Sequence, residues 1–157
     1  MAILNIVKDG DELLRKKSRP VEAITPRIEA LIGDMIETMR KANGVGLAAV
    51  QVGILRRLVV IETEEGNPRC FINPVISERK GSDEGVEGCL SVPGVWGKVE
   101  RPSEITITYM DEKGVTHTTV ETELAARCLC HECDHLDGIL FKDKATEFFS
   151  REDLEEE

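Results

Sequence analysis

Residues 129–140 read LCHECDHLDGIL, and this segment constrains the fold more than any other. His131 and His135 are four residues apart, and Glu132 follows the first histidine. On an α-helix this spacing places the two imidazoles about 40° apart around the axis, with the carboxylate about 60° from the second imidazole. Neutral imidazoles on one helix face can hold zinc, iron or nickel, and the carboxylate is then better placed as a base than as a ligand. The alternative is a polar helix face on which both histidines hydrogen-bond to other side chains.

The helix that carries these residues is predicted to begin near Thr122 and to stop at Gly138. Its apolar residues recur at helical spacing, at Ala125, Leu129, Cys133, Leu136 and Leu140. An earlier helix is predicted over residues 25–42, where Thr25 can cap the N-terminus and Pro26 suits the first helical position.

Four segments between these helices have the β-branched composition of strands, namely 56–63, 70–77, 103–110 and 115–122. The last two flank the turn DEKG and should form a hairpin. Because the strands are gathered in the middle of the chain, the predicted class is α+β, with antiparallel or mixed sheets around a central metal-binding helix. The length favours a single domain over residues 1–157, with a frayed acidic tail over 150–157.

Composition argues against several classes of protein. The formal net charge of -10 opposes direct binding to nucleic-acid phosphates. The chain lacks an apolar run long enough to span a bilayer, and its first residues turn polar too soon for a secretory signal, so we expect a cytoplasmic protein without membrane contact. Five cysteines, three of them crowded at 128, 130 and 133, are better suited to be reduced thiols or metal ligands than disulfides.

A catalytic metal of this kind needs a third protein ligand and an open position. His117 is one candidate, although strand alternation could place it on a solvated face. Cys89 is the other candidate, within the sequence EGVEGCLSVPG at 84–94. The glycines and the proline of that segment indicate a tight bend that brings the backbone close to another group. A buried structural cysteine is the alternative interpretation of Cys89.

Residues 43–53, NGVGLAAVQVG, form a third unusual segment that is small and apolar. The side-chain amide of Gln51 can donate a hydrogen bond and could line an anion hole beside a metal. Without a metal nearby, the same residues would form a buried strand or turn with a capping glutamine. A phosphate-binding loop fits badly, because neither the lysine nor the serine or threonine of that motif follows.

Together the three segments resemble peptide deformylase. The signatures of that family stand in order as GVGLAAVQ at 44–51, EGCLS at 87–91 and HECDHL at 131–136. The resemblance implies a hydrolase that removes the N-formyl group from the N-terminal methionine of newly made polypeptides and releases formate. It also implies one divalent metal, natively ferrous iron with nickel, cobalt or zinc as substitutes. The ligands carried over from the family are Cys89, His131 and His135.

The resemblance also assigns roles in the reaction. Glu132 would take a proton from the attacking water and deliver it to the departing amine. Gln51 and the backbone N–H of Leu90 would hold the developing oxyanion. The substrate-binding positions that match the family are Val45, Gly46, Gly88, Arg101, Leu124 and Cys128.

The chain departs from the family pattern at a few positions. Cys130 stands where glutamine is common and is expected to be a buried bystander, and Val50 replaces a frequent proline. The implied partners are an N-formylmethionyl peptide and, transiently, the ribosome in the bacterial cytosol rather than in an organelle. Many bacterial members continue into a basic C-terminal helix that docks on the ribosome, and the acidic end here argues against that route.

Two rival functions stay open. A metalloprotease could use the same helix, although the cysteine-containing segment at 87–91 argues against it. A structural zinc module could draw its ligands from CLCHECDH at 128–135. On a continuous helix, however, Cys130 points about 100° away from His131, so these side chains could not converge without breaking the helix.

Overall fold

Over residues 2–155, which a computed structural model describes, the chain forms eight strands, two long helices and one short helix. The helices are α1 at Pro26–Lys41, α2 at Glu123–Leu136 and α3 at Arg151–Glu155. The strands are β1 at Gly46–Ala48, β2 at Leu58–Ile61, β3 at Arg69–Lys80, β4 at Asp83–Cys89, β5 at Val92–Arg101, β6 at Glu104–Met110, β7 at Thr116–Thr122 and β8 at Glu147–Phe149. Short 3₁₀ helices lie at Glu12–Arg15, Ala49–Val52 and Phe141–Asp143.

Helix α1 begins where the sequence predicts, because its first turn has both a cap and a proline. The Thr25 hydroxyl accepts a hydrogen bond from the N–H of Ile28 at 3.3 Å. Pro26 occupies the first turn, where a missing N–H leaves no helical bond unmade. The buried face of the helix packs against the larger sheet through Ile32, Met35 and Met39.

The strands form two antiparallel sheets, which confirms the α+β class in its coarse form. The larger sheet has the order β1-β2-β3-β6-β7, and the smaller has the order β4-β5-β8. The predicted hairpin is confirmed, since Met110 of β6 pairs with Thr116 of β7. In its turn, the Asp111 carboxylate accepts hydrogen bonds from the N–H groups of Lys113 and Val115.

The sequence did not predict four of these strands, and the reasons are physical. Strands β1 and β8 have three residues each and are too short to show alternation. Strands β4 and β5 are rich in glycine, a residue depleted in strands, yet they pair as a hairpin in which Cys89 lies opposite Val92. The bend expected within residues 84–94 is the two-residue turn that closes this hairpin.

Helix α2 contacts the larger sheet on one side and β4 of the smaller sheet on the other. Leu129 and Leu136 belong to the apolar cluster that the helix forms with the larger sheet. On its other side, Arg127 and His131 both hydrogen-bond to Glu87 of β4. A helix packed on both sides can hold its polar residues in fixed positions.

The ends of α2 agree with the prediction. Thr122 is the N-cap residue, and Glu123 follows with a φ of 53°, which is uncommon for a residue other than glycine and turns the chain sharply out of β7. After Leu136 the helix ends, and Gly138 takes the left-handed conformation with a φ of 76°.

The tail predicted to be frayed, residues 150–157, is described by the structure only as far as residue 155. Arg151–Glu155 form the short helix α3, whereas residues 156 and 157 lie outside the described residues. The organisation as one domain over 1–157 stays a prediction.

All five cysteines lie within the described range and are free thiols, as their spacing predicts. None of the helices described between residues 2 and 155 is both long and apolar enough to span a membrane.

Candidate active site

Three potential metal ligands meet between α2 and the β4–β5 hairpin. The Sγ atom of Cys89 and one ring nitrogen each of His131 and His135 all lie within 4.8 Å of one another. The Cys89 Sγ atom is 3.3 Å from Nε2 of His135. The two histidines are buried one turn apart on α2, and the cysteine is the last residue of β4, next to the tight turn. The three side chains predicted as ligands are therefore brought together.

The other candidate ligand lies elsewhere. His117 is on β7, with its Nε2 atom 2.7 Å from a carboxylate oxygen of Asp111, and 40% of its side chain is exposed. Its position agrees with the solvated strand face considered in the sequence analysis.

The chemistry of this donor set fits a divalent transition metal. Burial lowers the pKa of His135 well below its usual value, so this imidazole is neutral and can act as a ligand. His131 Nδ1 lies 2.9 Å from a carboxylate oxygen of Glu87. Because an ionised carboxylate only accepts, Nδ1 must donate, so Nε2 is the nitrogen that would face a metal. Although burial opposes it, Glu132, Cys89 and Glu87 raise the pKa of His131 to about 10, so a metal would have to displace the proton on Nε2. One thiolate with two neutral imidazoles suits iron, nickel or zinc.

Glu87, to which the sequence assigned no role, is the centre of a buried ionic network under this site. Its two oxygens accept hydrogen bonds from Arg101 at 2.9 and 3.0 Å and from Arg127 at 2.6 Å. Burial alone would raise the pKa of Glu87, but the hydrogen bonds from His131 and Arg101 outweigh burial and hold the pKa at about 2. The residue is therefore a permanent anion that orients His131.

The carboxyl group of Glu132 is buried beside the three potential ligands. Among the described residues, its Oε1 atom has no hydrogen-bond partner. Burial raises its pKa to about 7, despite the opposing effect of His131. A carboxyl group with a pKa near neutrality, buried and free on one side, can exchange a proton with a small molecule held next to it.

Gln51 makes the contact expected of a capping glutamine, and its amide nitrogen lies close to Cys89. Its side-chain oxygen accepts a hydrogen bond from the N–H of Ala48 at 2.9 Å, as a capping glutamine would. Its amide nitrogen lies 3.1 Å from Ser91 Oγ and 3.6 Å from Cys89 Sγ, so the donor end faces this potential ligand. Leu90 lies in the turn between these two residues of the hairpin and lines the same cavity.

A cavity of about 670 Å³ opens beside these groups. Its walls include Glu132 and His131, and its mouth has exposed apolar side chains from Val86 and Leu124. Trp96 and Arg151 also line it, and neither was predicted to do so. The predicted substrate-binding residues that line this cavity are Val45, Gly46, Gly88, Leu124 and Cys128.

The sequence and the fold were then compared with known proteins. Residues 3–150 match the family model of polypeptide deformylase. A peptide deformylase of Caldanaerobacter subterraneus subsp. tengcongensis is 52% identical over 155 residues, which cover 99% of this chain and 97% of the relative. The crystal structure of a peptide deformylase from Synechococcus elongatus in complex with actinonin is 40% identical, with a TM-score of 0.89 over 99% of this chain and 84% of that chain. The chain belongs to the polypeptide deformylase family.

Peptide deformylase 1 of Clostridium acetobutylicum is 56% identical over 147 residues, which cover 94% of this chain and 97% of the relative. Membership in the deformylase family confirms the predicted activity. The enzyme is a metal-dependent hydrolase that removes the N-formyl group from the N-terminal methionine of newly made polypeptides and releases formate.

One predicted substrate-binding residue of this deformylase does not line the cavity. Arg101 is 3% exposed, and its guanidinium is bound to Glu87 on one side and to Asp134, at 2.7 Å, on the other. A buried guanidinium held by two carboxylates cannot turn toward a peptide without leaving both unpaired. The assignment of Arg101 to substrate binding is therefore corrected, since this residue lies beneath Glu87 and holds it in place.

Cys130 and Cys133, two other cysteines of α2, lie away from the three potential metal ligands. Cys130 and Cys133 line a different cavity, together with Arg101 and Asp134. Cys130 is 5% exposed, in agreement with a buried bystander. Because α2 is continuous through these residues, they do not join the three potential ligands.

We expect Glu87→Gln to weaken metal binding by roughly 10- to 100-fold, since partners that orient a ligand histidine typically contribute that much. Glutamine keeps the shape but loses the charge that fixes the tautomer of His131. Titration against a competing chelator measures the effect. Glu84→Gln on the same strand is the matched control, because its carboxylate is half-exposed and, among residues 2–155, pairs only with Lys98. Equal affinities for the two variants would contradict the role of Glu87.

The same variant should change how stability depends on pH. The pKa of Glu87 is about 2 in the fold, below its ordinary 4.5, so the carboxylate stabilises the fold above about pH 4.5 and this stabilisation is lost as the pH falls toward 2. The free energy of unfolding of metal-free wild type should therefore exceed that of metal-free Glu87→Gln at pH 6, with the gap closing in acid. A gap that widens in acid would contradict the assignment.

Gly46 is required by the close approach of Glu132. A Cβ atom at position 46 would lie 2.6 Å from Oε2 of that carboxylate and 3.1 Å from its Cγ. We expect Gly46→Ala to displace the carboxyl group and to lower kcat/KM by about 10- to 100-fold. Formate release gives the rate, and metal content shows that the ligands are intact. A full rate in this variant would show that the position of Glu132 is not critical.

Proposed function

We propose that deformylation takes place where α2 meets the β4–β5 hairpin. Cys89, His131 and His135 would hold one divalent metal, and Glu132 would move the proton. The observation that carries this proposal is the convergence of three ligand atoms within 4.8 Å beside a buried carboxyl group with one free oxygen. Such a set is sufficient for metal-assisted hydrolysis of an amide bond.

When bound, the metal supplies a Lewis acid that makes water a stronger nucleophile and polarises the formyl carbonyl. The residues of the chain do the rest. Glu132 accepts the proton that water loses as its oxygen bonds to the formyl carbon. The C–N bond then breaks, the amine takes the proton from Glu132, and formate leaves. A pKa near neutrality suits a group that must both accept and return a proton.

The oxyanion that develops on the formyl group needs donors that are already in place. We assign this role to the Gln51 side-chain amide and to the backbone N–H of Leu90. Gln51 is held rigidly by its bond from Ala48, so its amide donates without reorganisation during the reaction. The Cys89 thiolate lowers the net charge of the metal centre, so the metal polarises the carbonyl less than it would with three histidine ligands. Stabilisation of the oxyanion therefore depends more on these hydrogen-bond donors.

The methionine of the substrate would enter the cavity beside Glu132. Val45, Leu124 and Cys128 offer an apolar surface, and burial raises the pKa of Cys128 to about 12, which keeps its thiol neutral. Gly46 and Gly88 lack side chains, so the peptide backbone can approach theirs closely. Contact with the ribosome and a cytoplasmic location stay predictions.

Ferrous iron is the metal that we propose for the native enzyme, with nickel, cobalt and zinc as substitutes. We expect metal-free enzyme loaded without oxygen to be fast with iron or nickel and slower with zinc, which favours a closed tetrahedral arrangement. Beside a redox-active ion, the partly exposed Cys89 thiolate should oxidise in air. Activity and the mass of the Cys89 peptide, measured before and after aeration, test this. Iron-loaded enzyme that stays active and unoxidised would contradict it.

The direct test of the proposed function compares two substrates on one metal-loaded preparation. Formyl-Met-Ala-Ser should release formate, whereas an unblocked peptide of the same sequence should not be cleaved. Cleavage of internal peptide bonds without formate release would favour the metalloprotease instead.

A further inference from the structure

Arg151, the first residue of α3, lines the same cavity as Glu132. The other guanidinium that reaches this cavity belongs to Arg127, and it is already used. Its Nη1 atom lies 2.6 Å from Glu87 and also donates to the carbonyl of Val99, while Nη2 donates to that of Asp83. Arg151 is exposed, and no carboxylate between residues 2 and 155 forms an ion pair with it.

The backbone fixes Arg151 at the open mouth of the cavity. Strand β8 pairs with β5, with Phe149 opposite Trp96. The Trp96 indole lies against Gly88, whose added Cβ would be 2.6 Å from Nε1. One wall of the cavity therefore runs from Cys89 through Trp96 to the start of α3.

The start of α3 is itself held by local hydrogen bonds. The N–H of Ser150 donates to the Asp153 carboxylate at 2.8 Å, and the N–H of Asp153 donates to the Ser150 hydroxyl at 3.3 Å. This reciprocal pair engages Asp153, and among the described residues neither Glu152 nor Glu155 of α3 forms an ion pair with Arg151.

We infer that Arg151 selects for an acidic side chain downstream of the formylmethionine. The inference rests on the proposed function, because the methionine must lie beside Glu132 for the following residues to leave through the mouth of the cavity. An extended peptide advances about 3.3 Å per residue, so successive side chains pass the cavity wall at regular intervals. Of the charged residues that line the cavity, Glu87 and Arg127 pair with each other, which leaves Arg151 as the cation that an acidic substrate residue would meet.

Peptides based on formyl-Met-Ala-Ser, extended by alanines and carrying either glutamate or lysine at each position from two to five, test the inference. At one position we expect wild-type kcat/KM to favour glutamate by about two- to five-fold at low salt, the size typical of an exposed ion pair. The preference should shrink at 1 M salt, where the screening length is about 3 Å. Arg151→Lys should keep the preference, and Arg151→Glu should invert it at the same position.

The matched control is Arg27→Glu, which makes the same change in charge on the exposed side of α1, outside the cavity. Arg27→Glu should retain the wild-type ratio. Equal ratios for Arg27→Glu and Arg151→Glu, or no preference at any position, would overturn the inference while formyl-Met-Ala-Ser is still turned over. Failure of wild type on that reference peptide would overturn the proposed function and, with it, the inference.

Discussion

Glu132→Gln is expected to lower kcat/KM for formyl-Met-Ala-Ser by at least about 100-fold, the contribution typical of a general base, while metal content stays unchanged. Glutamine has nearly the same shape as glutamate but cannot accept a proton. Because Glu132 lies next to His131 without belonging to the three converging ligands, its replacement removes no donor from the metal. Formate release and elemental analysis of the same sample measure the two quantities.

The control for this substitution is Glu29→Gln, an exposed carboxylate of α1. It should leave the rate and the metal content at wild-type values. If Glu132→Gln instead lost metal in proportion to activity, the residue would be a ligand or a support for one, and the proton would have to be carried by another group.

The elements that the sequence predicts well are those fixed by local chemistry. The start of α1 follows from the Thr25 cap and from Pro26, and the end of α2 follows from Gly138, both within one or two residues. The spacing of His131 and His135 is likewise local, because a helix alone decides which side chains share a face. These features need no knowledge of the rest of the chain.

What the sequence could not supply depends on contacts between distant segments. The glycines around Cys89 indicated a bend. That the bend closes a hairpin of β4 and β5, with Cys89 at the end of β4 beside α2, depends on strand pairing that the local sequence does not reveal. Arg101 was assigned to the peptide from the resemblance, and the fold places it under Glu87 instead. A general rule could have found Glu87, since a metal-binding histidine usually donates its second nitrogen to a carboxylate.

Trp96 and Arg151, two residues of the cavity wall, could not be predicted for the same reason. Neither stands in one of the three signature segments. Trp96 reaches the cavity on β5, which pairs with β4, and Arg151 follows β8, which pairs with β5. The signature segments therefore define the chemistry of the site, and less regular parts of the chain complete the walls around the substrate.

The second large effect is expected from Cys89→Ala, which should lose metal under mild chelation and with it all measurable deformylation. Removal of a group that merely orients a ligand costs roughly 10- to 100-fold in affinity, so removal of the ligand itself should cost more. Two histidines one turn apart on α2 would then be the only protein donors of the set.

Two measurements distinguish this loss of a ligand from a general disturbance of the site. Wild-type enzyme should gain thermal stability when metal is added, because an ion that binds only the folded state stabilises it, whereas Cys89→Ala should gain little. Cys128→Ala removes a thiol from the same cavity that is not among the converging ligand atoms, and it should therefore keep its metal. If Cys89→Ala held metal as tightly as Cys128→Ala does, the third ligand would have to be a residue other than Cys89, and the convergence seen at the β4–β5 turn would not be the metal centre.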